Sequence, residues 1–221
     1  MDVELVSHDV YKSNSMGKTL SPKCKQCRRE GIKLYLKGER CYTTKCPIVK
    51  RNYPPGMHGS KGRNKLTSYG IQLREKQKAK RYYGILEKQF ALYYEKAFRK
   101  KGETAENLLH MLESRIDNVV SRVGLGKSHA QARQIVNHGH MLLNGKKVTI
   151  PSIQMKPGDI LEVAASSKKE KYFETVKIGL EKVDVPAWIS FDPDQLKIKY
   201  NEHPTVENVA PIFDLKYVVE F

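Results

Sequence analysis

The sequence lacks a run of about 18 apolar residues, the length that a membrane-spanning helix requires. Residues 1–15 carry three acids and no apolar core, so they resemble neither a secretory signal nor an arginine-rich transit peptide. Catalytic patterns are also missing: we find no general-acid carboxylate pair, nucleophile elbow or His-x-Glu deaminase motif. We therefore expect a soluble, cytoplasmic chain with no membrane partner, no small-molecule substrate and no enzymatic activity.

Acidic residues are scarce in one long stretch. Residues 16–101 contain 24 Lys and Arg against five acids, a net charge of +19, whereas residues 1–15 and 102–221 have net charges of −2 and −1. The overall charge of +16 is therefore concentrated in one block. Because a charge that served only solubility would not segregate in this way, the pattern predicts a polyanionic partner.

Only four cysteines are present, in two short-spaced pairs, Cys24-x2-Cys27 and Cys41-x4-Cys46. Such pairs suit tetrahedral Zn²⁺, because each makes a knuckle and the intervening loop brings the knuckles together. A reducing compartment argues against disulfides, and a thioredoxin-like pair would need a βαβ context that is absent from the sequence pattern. The spacing predicts one structural zinc ion held by all four cysteines, with an iron–sulfur cluster as the alternative.

Apolar periodicity and turn residues divide the chain into five parts. These are an extension expected to be disordered (1–15), a basic zinc-binding segment without sustained helical periodicity (16–66), a basic helical region (67–103), a compact module (104–165) and a C-terminal segment that packs on the helical body (166–221). We predict an α+β fold, with a mostly helical body, a zinc-knuckle N-terminal segment and an inserted α-α-α-β-β module.

Local signals place several elements within these parts. Thr67 or Ser68 is a candidate helix N-cap, and Gly84 is a candidate break between two helical segments. Further signals are a capping box at Ser128, a hairpin turn at Asn144-Gly145, a helix near residues 172–183 and strands near residues 188–191 and 215–221.

Polar rows on two predicted helices of the module contain cations and amides but no acid. Arg115, Asn118 and Arg122 lie opposite an apolar stripe, and the next helix has a similar row that begins at His129. Rows without acids form no internal ion pairs and suit phosphate and ribose contacts.

Residues 74–81 place cations all around a helix, which a polyanion should stabilise. The predicted RNA-binding residues are Arg28, Arg29, Lys37, Arg40, Lys45, Lys50, Arg51, Lys61, Arg63, Lys65, Arg74, Lys76, Lys78, Lys80, Arg81, Arg115, Asn118, Arg122, Lys127, Ser128, His129, Arg133, Asn137, His138 and Lys146.

Two further motifs are weak. The run from Gly124 to Ser128 resembles a phosphate-binding loop, but Ser121 occupies the position that needs the first glycine, and no strand pattern precedes it. His138 and His140 have no third ligand nearby in the sequence, which favours a polar surface corner over a metal pair.

Several stretches resemble the bacterial small-subunit ribosomal protein S4 family. They are residues 24–31, 36–41, 52–56, 69–78, 107–109, 112–120, 128–134, 138–140, 143–146 and 156–159. The resemblance extends from about residue 16 to residue 221, and the family usually begins at the position of Met16. Residues 1–15 are therefore extra, either as an extension or through an upstream start codon.

The resemblance implies a primary rRNA-binding protein that binds the 5′ domain of 16S rRNA, nucleates assembly of the small ribosomal subunit and influences translational accuracy. It also implies ribosomal proteins S5 and S3 as partners, near the path by which mRNA enters the subunit. Some relatives repress translation of their own mRNA. Many relatives lack the four cysteines that this chain retains, which supports bound zinc.

Two other classes of protein are alternatives. An RNA-modifying enzyme could use the same module for docking, but it would need a catalytic domain, and residues 166–221 are too few to supply one. A zinc-containing DNA-binding regulator would read the major groove with one helix and prefer duplex DNA to folded RNA.

Overall fold

A computed structural model describes residues 21–62, 65–180 and 183–221. The helices are α1 (Lys23–Glu30), α2 (Pro47–Lys50), α3 (Ser68–Tyr82), α4 (Glu87–Arg99), α5 (Thr104–Glu113), α6 (Ile116–Arg122), α7 (His129–Asn137), α8 (Ala165–Lys168), α9 (Lys171–Leu180), α10 (Val206–Val209) and α11 (Leu215–Glu220). The strands are β1 (Met141–Leu143), β2 (Lys146–Val148), β3 (Ile160–Val163), β4 (Ile189–Asp192) and β5 (Lys197–Tyr200). Within these ranges no helix is both long and apolar enough to cross a membrane. The predicted disorder of residues 1–15 lies outside the described residues.

Helix boundaries follow the local capping signals. Thr67 caps α3 by accepting a hydrogen bond from a backbone N–H of the first turn, at 3.2 Å. Ser128 caps α7, where its hydroxyl accepts from the Gln131 N–H at 3.4 Å and the Gln131 side chain accepts from the Lys127 N–H at 3.0 Å. Gly84, at φ +64°, separates α3 from α4. The predicted caps and the predicted break are confirmed.

The strands form one antiparallel sheet in the order β2-β1-β3-β5-β4. Asn144-Gly145 makes the predicted hairpin turn between β1 and β2, where Leu143 pairs with Lys146. Strand β5, which had no clear signal in the sequence, pairs with β3 through Leu161 and Ile198. The module and the C-terminal segment therefore share one sheet.

Three apolar cores form among the described residues. The C-terminal segment contributes to the first two, and the third is a small core around Leu34 in the N-terminal segment. The first lies among α6, α7, α9 and the sheet, and it contains Trp188 and Tyr200. The second lies among α3, α4, α5 and α11, and it contains Phe213 and Val218. The prediction that residues 166–221 pack on the helical body is therefore wrong for their first part, because β4 and β5 bury their apolar faces against the module.

The last predicted strand, at residues 215–221, is the helix α11. Asp214 caps this helix by accepting from the Lys216 N–H at 2.9 Å. Leu215 and Val218, three positions apart, are its buried residues. A spacing of three brings both side chains to one face of a helix, whereas it would place them on opposite faces of a strand.

Candidate nucleic-acid interface

A basic cleft lies where α1, the end of α3 and α7 meet. It is a cavity of about 380 Å³, lined by Lys23, Arg81, Arg133 and His138 together with amides and tyrosines. None of the described residues that line it is acidic. The fold thus brings together cations from three separate parts of the sequence, with the charge and polarity that phosphates and riboses require.

Most of the predicted RNA-binding residues reach the surface. The exposed ones are Arg29, Lys37, Arg40, Lys45, Lys50, Arg51, Lys61, Lys65, Lys127, Asn137, His138 and Lys146. The partly buried ones are Arg28, Arg74, Lys76, Lys78, Lys80, Arg81, Arg122, Ser128, His129 and Arg133. Arg63 lies outside the described residues. The exposed group leaves positive charge available to a polyanion, mostly on the N-terminal segment.

Two predicted contacts are wrong, because Arg115 and Asn118 are each only 1% exposed. Arg115 donates to the Asp117 carboxylate at 2.9 and 2.6 Å and to the Tyr93 hydroxyl at 2.6 Å. Asn118 donates to the Glu113 carboxylate at 2.6 Å. Helix α6 is buried on its polar side as well as on its apolar side, so this row holds the core together. Glu113 and Asp117 lie two positions before and two positions after Arg115 in the sequence and could have indicated internal pairing.

Glu113, the last residue of α5, is the acceptor at the centre of this packing and is fully buried. Its carboxylate accepts from the Tyr83 hydroxyl at 2.6 Å, from Asn118 at 2.6 Å and from two nitrogens of Arg122 at 2.6 and 3.1 Å. Burial lowers the pKa of Arg122, but the Glu113 carboxylate more than offsets this and raises it overall. We call these four residues the Glu113 network; it joins the helical body to the module, and sequence analysis missed its acceptor.

His129 lines the basic cleft without carrying charge at neutral pH. Its ring packs edge-on against Tyr82, with 4.7 Å between the ring centroids. Desolvation lowers the pKa of His129 to about 4, although Glu113 and Asp117 lie close enough to oppose the shift. The predicted row on α7 therefore presents one cation, Arg133, flanked by neutral groups. Arg133 itself lies 3.6 Å from the Asp117 carboxylate.

The cations of α3 have acidic partners within the protein. Arg74 and Arg81 both contact the buried Glu30 carboxylate of α1, Arg74 at 3.2 Å. Lys76 and Lys80 contact Glu87, each at 2.6 Å. The prediction that this helix depends on a polyanion is therefore wrong in part, since internal ion pairs and the packing of α11 also stabilise it.

The N-terminal segment docks on the module at one tight contact. Gly38 has φ +58°, and a Cβ built there would lie 2.4 Å from the Lys127 carbonyl oxygen. Next to it, the Lys127 ammonium lies 2.5 Å from the Glu39 carboxylate. Only glycine allows the two backbones to approach this closely, so the contact holds one wall of the basic cleft against the other.

The four cysteines lie together, as their spacing predicts. All of them line one cavity of about 10 Å³ near α1 and α2. Burial raises the pKa of the Cys27 thiol, and the other three cysteines add to the shift. The Lys37 N–H donates to Cys41 Sγ at 3.4 Å. The donor set fits Zn²⁺, although no group of three ligand side chains among the described residues is arranged closely enough to hold a metal ion.

Comparison with known proteins gives two family matches and many relatives. Residues 18–113 match the family described as "Ribosomal protein S4/S9 N-terminal domain", and residues 114–161 match the "S4 domain". "Small ribosomal subunit protein uS4" of Thermotoga maritima is 51% identical over 208 residues, covering 93% of this chain and 99% of that protein. "Small ribosomal subunit protein uS4A" of Symbiobacterium thermophilum is 50% identical over 206 residues, with the same coverage. The corresponding Thiobacillus denitrificans protein is 49% identical over 205 residues, covering 93% and 98%.

Proposed function

The chain belongs to the ribosomal protein S4 family, and we propose that it binds rRNA as a structural, non-enzymatic component of the small ribosomal subunit. The observation that carries this proposal is the basic cleft, whose cations come from α1, α3 and α7. Because the cations of the basic cleft come from three distant segments, the cleft is suited to the shape of a folded RNA and less suited to reading a sequence of bases.

We propose more specifically that the RNA is the 5′ domain of 16S rRNA and that binding nucleates subunit assembly. Binding at a basic surface that joins two packed units would fix several rRNA helices relative to one another, which is what an early assembly protein must do. Contacts with ribosomal proteins S5 and S3, a place near the path of incoming mRNA, an influence on accuracy and repression of its own mRNA are further parts of this proposal.

We also propose that Cys24, Cys27, Cys41 and Cys46 hold one structural zinc ion. The support is their shared cavity and the chemistry of four thiols at knuckle spacing. Zinc would supply a rigid tetrahedral cross-link to the segment that forms one wall of the basic cleft. All four ligands would come from the protein, so the ion would have no open position for catalysis.

The test is a salt-titrated binding assay that compares the rRNA 5′ domain with tRNA and duplex DNA of similar length. We expect a clear preference for the rRNA at elevated salt, since shape recognition persists when counterion release weakens. If the affinities for the three nucleic acids were equal and fell together as salt was raised, the protein would bind only as a nonspecific polycation. Tighter binding to duplex DNA would favour a DNA-binding regulator instead.

A variant arm tests the basic cleft itself. Arg133→Glu should weaken rRNA binding more than Lys216→Glu, its matched control on α11, where the lysine side chain is 78% exposed. Both substitutions change the net charge equally, so a difference reports position and not total charge. Equal losses would contradict the role of the basic cleft.

A further inference from the structure

Tyr35 and Tyr42 form an aromatic pair on the surface of the N-terminal segment. Their ring centroids are 5.0 Å apart at an interplanar angle of 31°, and the residues are 37% and 75% exposed. Both residues are therefore accessible to solvent, Tyr42 much more than Tyr35. The pair therefore offers apolar surface that the fold itself does not use.

The backbone holds this pair in place at a conformational cost. Tyr35 has φ +50°, in the left-handed region that bulky side chains rarely adopt. Its two neighbours, Leu34 and Leu36, are 0% and 8% exposed and belong to the small core of the segment. Burial of both leucines forces the side chain between them outward. Strain of this kind persists where the surrounding structure imposes it, and it is concentrated at functional positions.

A second cavity, of about 450 Å³, lies beside the pair. Its lining includes Tyr35, Tyr42 and Tyr82, with Arg122 and Lys127 as cations. Ser128, the N-cap of α7, also lines it. Glu39 is the one acid among the described lining residues, and it pairs with Lys127. Since Tyr82 also lines the basic cleft, the two cavities adjoin at this ring.

We propose that Tyr35 and Tyr42 are a stacking platform for an unpaired RNA base, with the exposed Lys127 side chain facing its phosphates. This inference rests on the proposed rRNA-binding function and adds to it a site for single-stranded nucleotides beside the basic cleft. RNA is the favoured occupant, because aromatic rings among cations suit the faces of bases and the charge of phosphates together. The net charge of +19 over residues 16–101 opposes a cationic protein partner.

The test compares binding of the rRNA 5′ domain to the full chain and to Tyr42→Leu. Loss of one stacked base should weaken binding by roughly 5- to 150-fold. Because stacking releases no counterions, the slope of log K against log salt should stay the same. Tyr42→Phe keeps the ring and should bind like wild type, and so should Tyr217→Leu, a control on α11 with similar surface chemistry.

Ultraviolet cross-linking of the unmutated chain gives a second measurement that does not depend on a variant's folding. A base stacked on the platform should cross-link to the tryptic peptides 34–37 and 41–45, which contain Tyr35 and Tyr42. Unchanged affinity in Tyr42→Leu without these cross-links would overturn the platform. If the wild type still preferred rRNA to tRNA, the proposed function would stand.

The reverse result separates the two proposals in the other direction. Cross-links at these peptides and weaker binding by Tyr42→Leu, without any preference for rRNA over tRNA, would support the platform and contradict the ribosomal role. Unchanged rRNA affinity together with poor incorporation of Tyr42→Leu into small-subunit particles would assign the pair to a protein partner.

Discussion

Arg122 of α6 and Glu113 of α5 form a two-point ion pair, with Arg122 Nη2 2.6 Å from Glu113 Oε1 and Arg122 Nε 3.1 Å from Glu113 Oε2. The carboxylate is fully buried, whereas the arginine side chain is 21% exposed. Tyr83 from the body donates to the same carboxylate. The Glu113 network therefore sets how the two units that supply the basic cleft sit against each other.

Glu113→Gln should destabilise the chain by about 3 kcal/mol, because it leaves Arg122 largely buried without its counter-charge. The matched control is Asp194→Asn, which breaks the ion pair between Asp194 and Lys177. The Asp194 side chain is 88% exposed and the Lys177 side chain is 44% exposed. That change should cost less than about 1 kcal/mol. Urea unfolding of the two variants measures both costs. Similar losses of unfolding free energy in the two variants would show that burial does not strengthen the contribution of the Glu113 network to stability.

Gly38→Ala should destabilise the docking of the N-terminal segment on the module. The added Cβ would meet the Lys127 carbonyl oxygen, and the positive φ would strain any non-glycine residue. Gly84→Ala isolates the second effect, because Gly84 has φ +64° with nothing within 4 Å of the new Cβ. We expect Gly84→Ala to lower the free energy of unfolding by about 1 kcal/mol, and Gly38→Ala to lower it by about 1–3 kcal/mol more than that. Equal unfolding free energies would rule out the tight contact.

Acidification should destabilise the protein through His129. In the unfolded chain a histidine titrates near pH 6.5, whereas folded His129 has its pKa lowered to about 4 by desolvation. The unfolded state therefore binds more protons between these values, so this contribution is present above pH 6.5 and is lost as pH falls toward 4.

The comparison is wild type against His129→Gln, by urea unfolding at pH 7 and pH 5. Between these pH values the wild type should lose about 2 kcal/mol more than the variant. Carboxyl groups common to both proteins cancel in this difference. The same pH dependence in both proteins would mean that His129 is not desolvated as described.

Removal of the proposed zinc should loosen the N-terminal segment and leave the module folded. Elemental analysis should find one zinc per chain, and its removal should speed amide exchange near Leu34 and Ile48, which share the small core with Cys27 and Cys46. Exchange at Leu161 should hardly change, since the first core contains no residue from the described part of the segment. Equal acceleration of exchange at both places would contradict the independence of the module from the metal. If elemental analysis found iron and labile sulfide in place of zinc, the four cysteines would hold an iron–sulfur cluster.

Features that depend on residues within four positions of one another were predictable from the sequence. The cap at Thr67, the capping box at Ser128 and the Asn144-Gly145 turn are examples, and the structure confirms them. The charge block of residues 16–101 was equally plain, because charge can be counted without a fold. The motif order also carried the resemblance to the S4 family, which the relatives support.

Helix α1 shows where local patterns are too weak to decide. The eight-residue helix has few apolar side chains, so no periodicity predicted it. Its Glu30 is buried by Arg74 and Arg81, which lie 44 and 51 positions away. The helix therefore depends on partners that its own sequence does not contain, as expected of short helices stabilised by packing.

The sequence by itself determined the chemistry of this protein: a basic N-terminal half, four thiols at ligand spacing and a module with well-marked helices and turns. Only the tertiary structure decided which polar groups face solvent. Arg115 and Arg133 look equivalent along the chain, yet the first is buried against Asp117 and Tyr93 and the second lines the basic cleft. The physical reason is that burial depends on what packs against a helix from elsewhere, and helical periodicity describes only the helix itself.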